Sequence, residues 1–430
     1  MRSHKTRLTL LIVAAMIIAM LTGISVASAA DDTIYVAFSS DVHYNTSNET
    51  NNLEDWMDAI KKLYPKFDSM SFCGDLGSAY CSTAAAYWRF SQAVMDTAES
   101  YVGTQIERDP VYTFGNHEWY PSAGGDYANN KDNATAQKYL NRTEAISTDK
   151  YRVYAYGAEG SDQEYTDEGI AELDAYLASC PTDIPVFVLV HFPLHYFSSR
   201  ICANAENMVE MFNAYPNVFL IWGHNHNVSD TNYDHFQKAG DLIELSPGVF
   251  TEINFTYCSA GCMSDAEYAT GSAFVKGKGL VAQIDGLNVT MNYYDLKGKQ
   301  VGETFKTKID PNAVNKDGPF LVKFRDGLGV IVSEQTVKKG EAATAPEIEA
   351  PLGYQIVGWN KDFSSVTRDM TVSPVLELLD MNPQITALAD VLDPNYVYVT
   401  IQVDQAAAVG KSGAPIILYP VPYKDGMTVG

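Results

Sequence analysis

Two kinds of segment alternate along the first 230 residues. Short apolar runs recur at Thr33–Ser39, Met70–Cys73, Val111–Phe114, Pro185–Val190 and Val218–Trp222. Each is rich in β-branched or aromatic residues and almost free of polar ones, the pattern of a strand buried on both faces. Between them, apolar residues fall at helical spacing. Leu53, Trp56, Met57, Ile60 and Leu63 mark a helix over 51–64, and Tyr87, Phe90, Val94 and Ala98 mark one over 83–101. Ile170, Leu173 and Leu177 mark a third over 166–179, and a short fourth covers 207–215. Strands alternating with helices predict sheets with helices packed on them. An alternating Tyr-rich strand is expected within 149–158, and Leu280–Tyr294 alternates as if to close a sheet. Residues 121–133 are rich in Gly, Asn and Asp and read as a long loop beside the strand ends.

The five apolar strands stop in the same way. The first ends in Asp41-Val42-His43, where alternate spacing puts Asp41 and His43 on one side of an extended chain. The others end in Gly74-Asp75, Gly115-Asn116-His117-Glu118, His191 and Gly223-His224-Asn225-His226. Carboxyl ends of strands are where open α/β sheets place their chemistry. Of the eight His residues, five occupy these positions. Any one of them reads equally well as a turn or a cap, but the joint pattern does not. Oxygen and imidazole donors without Cys suit Mn, Fe or Zn. His191 is preferred over His195 as a ligand because it directly follows its strand, which leaves His195 beside the substrate cleft or on the surface. Tyr44, Trp119, Tyr120 and Phe192 flank the motifs, as packing or as a platform for an aromatic leaving group.

Composition adds a compartment and excludes a partner. Arg2, Lys5 and Arg7 precede an apolar Leu8–Leu21 and the small-residue run Ala27-Ser28-Ala29, the layout of a secretory signal peptide over 1–30. No later stretch is long and apolar enough to span a membrane, so the mature chain is expected to carry no transmembrane segment. Cleavage removes three positive charges and no acids, taking the formal charge from −23 to −26. Such a surface repels phosphate backbones and argues against a standing nucleic-acid partner. A phosphorylated substrate would need local positive charge, which bound metal supplies. Six Cys in an exported chain permit disulfides, and Cys258 and Cys262 are close enough in sequence to bridge.

In this order, the five motifs resemble those of the calcineurin-like metallophosphoesterases, over about residues 33–295. The resemblance implies an α/β fold: a four-layered αββα sandwich of two mixed sheets with helices outside. It implies two divalent or trivalent metal ions, one on Asp41, His43 and His226 and one on Asn116, His191 and His224, bridged by Asp75. His117 takes the place of the family's catalytic His near the leaving group, with Glu118 as the partner that orients it. The implied reaction is hydrolysis of a phosphate mono- or diester by a metal-bridging hydroxide. The alternative is a cell-envelope binding or scaffold protein on a catalytically silent phosphoesterase fold, against which the complete ligand set argues. The chain departs from the pattern at Leu76-Gly77-Ser78, where many members carry another Asp or Asn. Its intact Asp41-x-His43 sets it apart from purple acid phosphatases, which lack that His and add a metal-bound Tyr.

The phosphoesterase domain is expected over 31–298, followed by a polar linker over 299–318. Residues 319–379 form a new β-rich unit. Its Lys339-Gly340-Glu341-Ala342 loop and its Gly353-Tyr354…Gly358-Trp359 strand resemble the small repeats of bacterial surface proteins such as internalins, over 319–378. That resemblance implies attachment at the cell envelope, beside the plainer role of a β spacer. A second linker, 380–395, leads to strands near 396–403 and 416–421. This last segment, 396–430, reads as a partial or truncated β module.

Overall fold

The computed structural model describes residues 33–44, 52–78, 81–122, 124–197, 200–226, 233, 235–264, 277–315, 317–351 and 353–378, and the backbone of 396–400 and 418–422. The expected signal peptide and second linker lie outside these residues.

Two mixed sheets stack face to face. The first has eight strands in the order β15-β14-β13-β1-β2-β3-β4, with β12 alongside β13. Here β1 is Ile34–Ser39, β2 Ser69–Phe72, β3 Val111–Thr113, β4 Tyr139–Leu140, β12 Gly261–Cys262, β13 Lys278–Asp285, β14 Asn288–Asp295 and β15 Gln300–Lys308. The second runs β11-β8-β7-β6-β5, with β5 Thr143–Ser147, β6 Arg152–Ala155, β7 Val186–Leu189, β8 Val218–Trp222 and β11 Thr256–Ser259. Strands β1 to β4 are parallel, as are β6, β7, β8 and β11, while β13 runs antiparallel to β1 and β5 to β6.

Side-chain alternation explains why the central strands lack polar residues. In β1, Val36 and Phe38 enter the core between the sheets, while Ala37 faces the helices. In β8, Phe219 and Ile221 point between the sheets, while Leu220 and Trp222 join the opposite layer. Both faces are dry, so apart from hydroxyls such as Ser69, Ser71 and Thr113 a polar side chain has no place until the strand ends. Helices α1 (Asn52–Ile60) and α2 (Ala84–Glu99) cover the first sheet. Helices α3 (Asp167–Ser179) and α4 (Ala205–Phe212) cover the second. Thr83 caps α2 by accepting from the Ala86 N–H, and Thr166 caps α3 through the Gly169 N–H. The helices lie close to where periodicity puts them, except that α1 stops at Ile60 and leaves Leu63 exposed in a turn, and the four layers match the expected sandwich. Among the described residues no helix is long and apolar enough to cross a membrane.

Two expectations change. The linker expected from 299 does not begin there: β15 pairs with β14 along its length, and Ile309 is buried in the core between the sheets. Its side chains are mostly polar because one face is wet, but backbone pairing and the Phe305–Phe236–Tyr293 ring stack hold it in place. Leu280–Tyr294 joins the first sheet as expected, as the hairpin of β13 and β14. All six Cys are buried free thiols, and Cys258 and Cys262 do not bridge. The first lies in β11 and the second in β12, the two strands belonging to different sheets. A chain ending at 298 is therefore expected to melt several degrees lower than one ending at 312, because it strips an edge strand from a packed sheet. Equal melting temperatures would place the domain boundary back at 298.

Strands β9 (Leu242–Ser246) and β10 (Val249–Glu252) form a separate hairpin. After the sandwich, β16 (Phe320–Arg325), β17 (Ile331–Val337) and β19 (Met370–Val372) form a three-stranded sheet, and β18 (Tyr354–Trp359) pairs with β20 (Pro374–Leu378). Phe320, Val322, Phe324, Val366 and Val372 give this unit its own core. Strands β21 (Tyr396–Thr400) and β22 (Leu418–Pro422) pair antiparallel.

Candidate metal centre

The carboxyl ends of β1, β2, β3, β7 and β8 meet at one edge of the sandwich. Backbone bonds weave them together beyond the regular strands. The Asp41 N–H donates to the Gly74 carbonyl at 3.1 Å, the His43 N–H to Asp75 at 3.1 Å, and the Gly223 N–H to His191 at 3.1 Å. The turns are tight. Asp41, His43, Asp75, His224 and His226 all adopt positive φ, between 46° and 69°. That region is costly for residues with a Cβ, and its concentration at one place marks a functional site. Gly74 is needed for space as well as for its φ of 90°, because a Cβ there would lie 2.4 Å from the Gly115 nitrogen. The two strand ends pass within backbone contact, which brings Asp75 against the turn that carries Asn116 and His117.

The ligand-type atoms gather in overlapping groups: Asp41, His43 and His226; Asp75, His191 and His224; and His43, Asp75 and His117. His226 Nε2 lies 3.2 Å from Asp41 Oδ1 and 3.0 Å from His43 Nε2. His191 Nε2 lies 2.8 Å from Asn116 Oδ1 and 3.3 Å from Asp75 Oδ2, and His224 Nδ1 lies 2.9 Å from the same Asn116 oxygen. The far sides of the rings are engaged elsewhere. His191 Nδ1 donates to the Cys73 carbonyl at 2.6 Å, and His43 Nδ1 lies 3.3 Å from the Gly77 carbonyl. Such bonds fix the ring so that its other nitrogen faces inward with a free lone pair, the arrangement of a metal-binding imidazole.

These residues fit cations. Asp41 Oδ1 is buried without a hydrogen bond, and two imidazole nitrogens face each other at 3.0 Å. A cation shared among them resolves both. The charges of the bare site carry the same signature. Burial pushes the Asp41 carboxyl up, but the neighbouring His226 and His191 hold it down at about 2. Burial likewise opposes ionisation of Asp75, yet His191 and His117 keep it well below the usual carboxylate range. Burial and the His226 charge pull His43 down to about 4. Burial also works against a charged His191, but Asp75 raises it to about 9. A compact set of buried donors that share charge this strongly is what two metals would neutralise.

The sequence of residues 34–228 matches the family described as calcineurin-like phosphoesterase. These residues form a calcineurin-like phosphoesterase domain. No curated protein matches the chain. Among solved structures, a purple acid phosphatase from yellow lupin (Lupinus luteus) is 16% identical, covering 66% of this chain and 55% of its own, with a TM-score of 0.43. A dimetal phosphatase from Danio rerio is 12% identical, covering 64% and 99%, with a TM-score of 0.41. A 5′-nucleotidase precursor from Thermus thermophilus is 10% identical, covering 65% and 55%, with a TM-score of 0.31. The chain thus spans about half the length of the lupin and Thermus proteins. Within it, Asp and His donors stand in groups that could hold metal ions.

All nine residues singled out in the sequence come together in the domain, but one has a different task. Glu118 does not orient His117. It is fully buried, and its carboxylate accepts from the N–H groups of Asp75 (3.1 Å), Leu76 (3.2 Å) and Gly115 (2.6 Å) and from the hydroxyls of Tyr87 (2.6 Å) and Tyr139 (3.0 Å). It therefore ties the end of β2 to the end of β3. Burial and the Asp75 charge push its carboxyl above the usual range, and the Tyr87 hydroxyl works against them. His117 is held instead through its backbone, whose N–H donates to Asp75 Oδ1 at 2.9 Å. Its ring stands edge-on to Tyr120 and His43, and Nε2 lies 3.9 Å from Asp75 Oδ2, beside the ligands rather than apart from them.

His195 is neither at the surface nor in the cleft. It is fully buried, stacked on Tyr233 at 3.9 Å, and bonded to the Tyr257 hydroxyl at 2.7 Å. Phe192 is buried core, while Trp119 and Tyr44 pack against the apolar clusters. The sequence carried no signal for Tyr87 and Tyr139, whose helical and strand spacing reads as plain packing.

Proposed function

We propose that the protein is a secreted or envelope-associated phosphoesterase that hydrolyses a phosphate mono- or diester with two metal ions of the Mn, Fe or Zn kind. The observation that carries this reading is the set of overlapping donor groups in which Asp75 stands with His43 and His117 on one side and with His191 and His224 on the other, while His43 also joins Asp41 and His226. Asp41, His43 and His226 would hold one ion, Asn116, His191 and His224 the other, and Asp75 would touch both. When bound, the ions supply Lewis acidity toward phosphate oxygens and a nucleophile available at neutral pH.

The chain's own groups do the rest. Asp75 keeps the two halves of the site in register. His117 faces the cluster with its Nε2 and would give or hold a proton at the departing oxygen. Its Nδ1 is buried without a partner, so the ring presents only one working nitrogen. Export rests on the N-terminal pattern of residues 1–30. Envelope attachment rests on the likeness of residues 319–378 to surface repeats, which fold here as a β unit with its own core.

Purified mature chain is expected to hold about two metals when saturated. It should hydrolyse an aryl phosphate with Mn²⁺ added, lose activity on chelation and recover on metal return. One metal or none per chain under saturating conditions, with no turnover, would sink the reading.

A further inference from the structure

Glu118 ties the ends of β2 and β3 together. The ends of β7 and β8, which carry His191, His224 and His226, are tied by other groups. The turn after β8 is strained, with φ of 69° at His224 and 50° at His226. Two bonds reach its backbone: the His224 N–H donates to Asp41 Oδ2 at 2.9 Å, and the Gly223 N–H to the His191 carbonyl at 3.1 Å. The side chain of Asn225, between the two His, supplies a third anchor. It is 2% exposed. Its oxygen accepts from Arg200 Nη1 at 3.3 Å, so its amide nitrogen is the end that donates inward, to His195 Nε2 at 3.3 Å.

Among the described residues, His191 and His195 are the two fully buried imidazoles, and only His191 belongs to the ligand set. The pocket around His195 is aromatic: its ring stacks on Tyr233 at 3.9 Å and stands edge-on to Trp222 at 5.0 Å. A phenyl ring would fill such a pocket with no polar atom to desolvate, so two buried ring nitrogens call for a polar task. Nδ1 lies 2.7 Å from the Tyr257 hydroxyl, whose oxygen also accepts the Leu194 N–H at 2.8 Å. With Nε2 accepting from Asn225, Nδ1–H donates to Tyr257, and one neutral tautomer serves both bonds. Tyr257 stands on β11, paired with β8. The chain Leu194–Tyr257–His195–Asn225 thus joins the segment that leaves His191 to the turn that carries His224 and His226.

We infer that His195 is a positioning residue for the metal centre: with Tyr257 it clamps two ligand-bearing strand ends together and so sets how tightly the ions are held. This role presupposes the two-metal phosphoesterase reading above. Side chains that hold ligands in place without touching the metal commonly govern its affinity by about 10- to 100-fold. The test compares full mature wild type with His195→Phe, His195→Gln and Tyr257→Phe. Mn²⁺ binding is measured by calorimetry, melting on the metal-free chain, and aryl phosphate turnover over a range of Mn²⁺. His195→Phe keeps an aromatic ring but loses both bonds, so its Mn²⁺ dissociation constant should rise by about 10- to 100-fold, with turnover regained as Mn²⁺ is raised. Tyr257→Phe should show a smaller rise. His195→Gln, whose side chain can again accept from Asn225, should recover part of the affinity lost in His195→Phe. A lower metal-free melting temperature with unchanged Mn²⁺ affinity would overturn the inference, because the buried chain would then only support the core. Should His195→Phe fail to fold, Tyr257→Phe decides alone: weaker Mn²⁺ binding supports the role and unchanged binding overturns it. If wild type binds two Mn²⁺ but hydrolyses no phosphate ester, the phosphoesterase reading fails while the affinities still decide the role of His195. Wild type that binds no Mn²⁺ overturns both.

Discussion

Asp75→Ala is expected to abolish hydrolysis, by on the order of 10³-fold or more, and to lower the metal content below two per chain. Asp75 is the one carboxylate that both halves of the site share. Its Oδ2 lies 3.3 Å from His191 Nε2, 3.8 Å from His43 Nε2 and 3.9 Å from His117 Nε2. Its other oxygen holds the backbone of His117 at 2.9 Å. Removing it leaves the fully buried His191 and the part-buried His43 and His117 without their common counter-charge and frees the turn that carries Asn116. His117→Ala makes the informative contrast. It should lower kcat by about 10²- to 10⁴-fold while the metal count stays at two. Metal analysis and steady-state kinetics on the two variants check both statements. If His117→Ala loses metal as Asp75→Ala does, His117 is a ligand and its assignment as a proton donor is wrong.

Glu118 should prove a structural keystone rather than a helper of His117. Glu118→Ala leaves five donors without their acceptor in a fully buried pocket, three of them backbone N–H groups. Breaking a buried, hydrogen-bonded charge in this way costs about 3–5 kcal/mol. Glu118→Gln keeps the shape but turns an amide N–H₂ toward groups that donate, so it should recover only part of the loss. The expected result is a large drop in melting temperature and a weakened metal site, because β2 and β3 no longer hold Asp75 against Asn116. Thermal melts with and without metal read this directly. A variant that melts like wild type but has lost only kcat would restore the role in orienting His117 that its place in Gly115-Asn116-His117-Glu118 suggests.

The contrast between Glu118 and its neighbours shows what local sequence can carry. A strand buried on both faces admits hydroxyls such as Ser39, Ser71 and Thr113 but no charged, amide or imidazole side chain until it ends, so Asp41, Asp75, Asn116, His191 and His224 announce themselves as the first such residues after apolar runs. The helices were legible for a similar reason, since Trp56, Tyr87 and Leu173 recur at the period of a buried face. These signals are written within a few residues of each other. The β15 strand was not legible, because Gln300–Lys308 is held by backbone pairing and one half-wet face rather than by an apolar run.

By itself, then, the sequence determined the layered α/β domain and the residues that meet at its edge. Burial on both sides of a strand leaves no other pattern open to it. Only the tertiary structure decided which partner each polar group faces. Glu118 reaches Tyr87 and Tyr139, and Asn225 links His195 to Arg200, across intervals of 21 to 31 residues. Those partners are chosen by how strand ends and loops converge in space. A carboxylate or an amide looks the same in sequence whether it serves a metal, a backbone or a substrate.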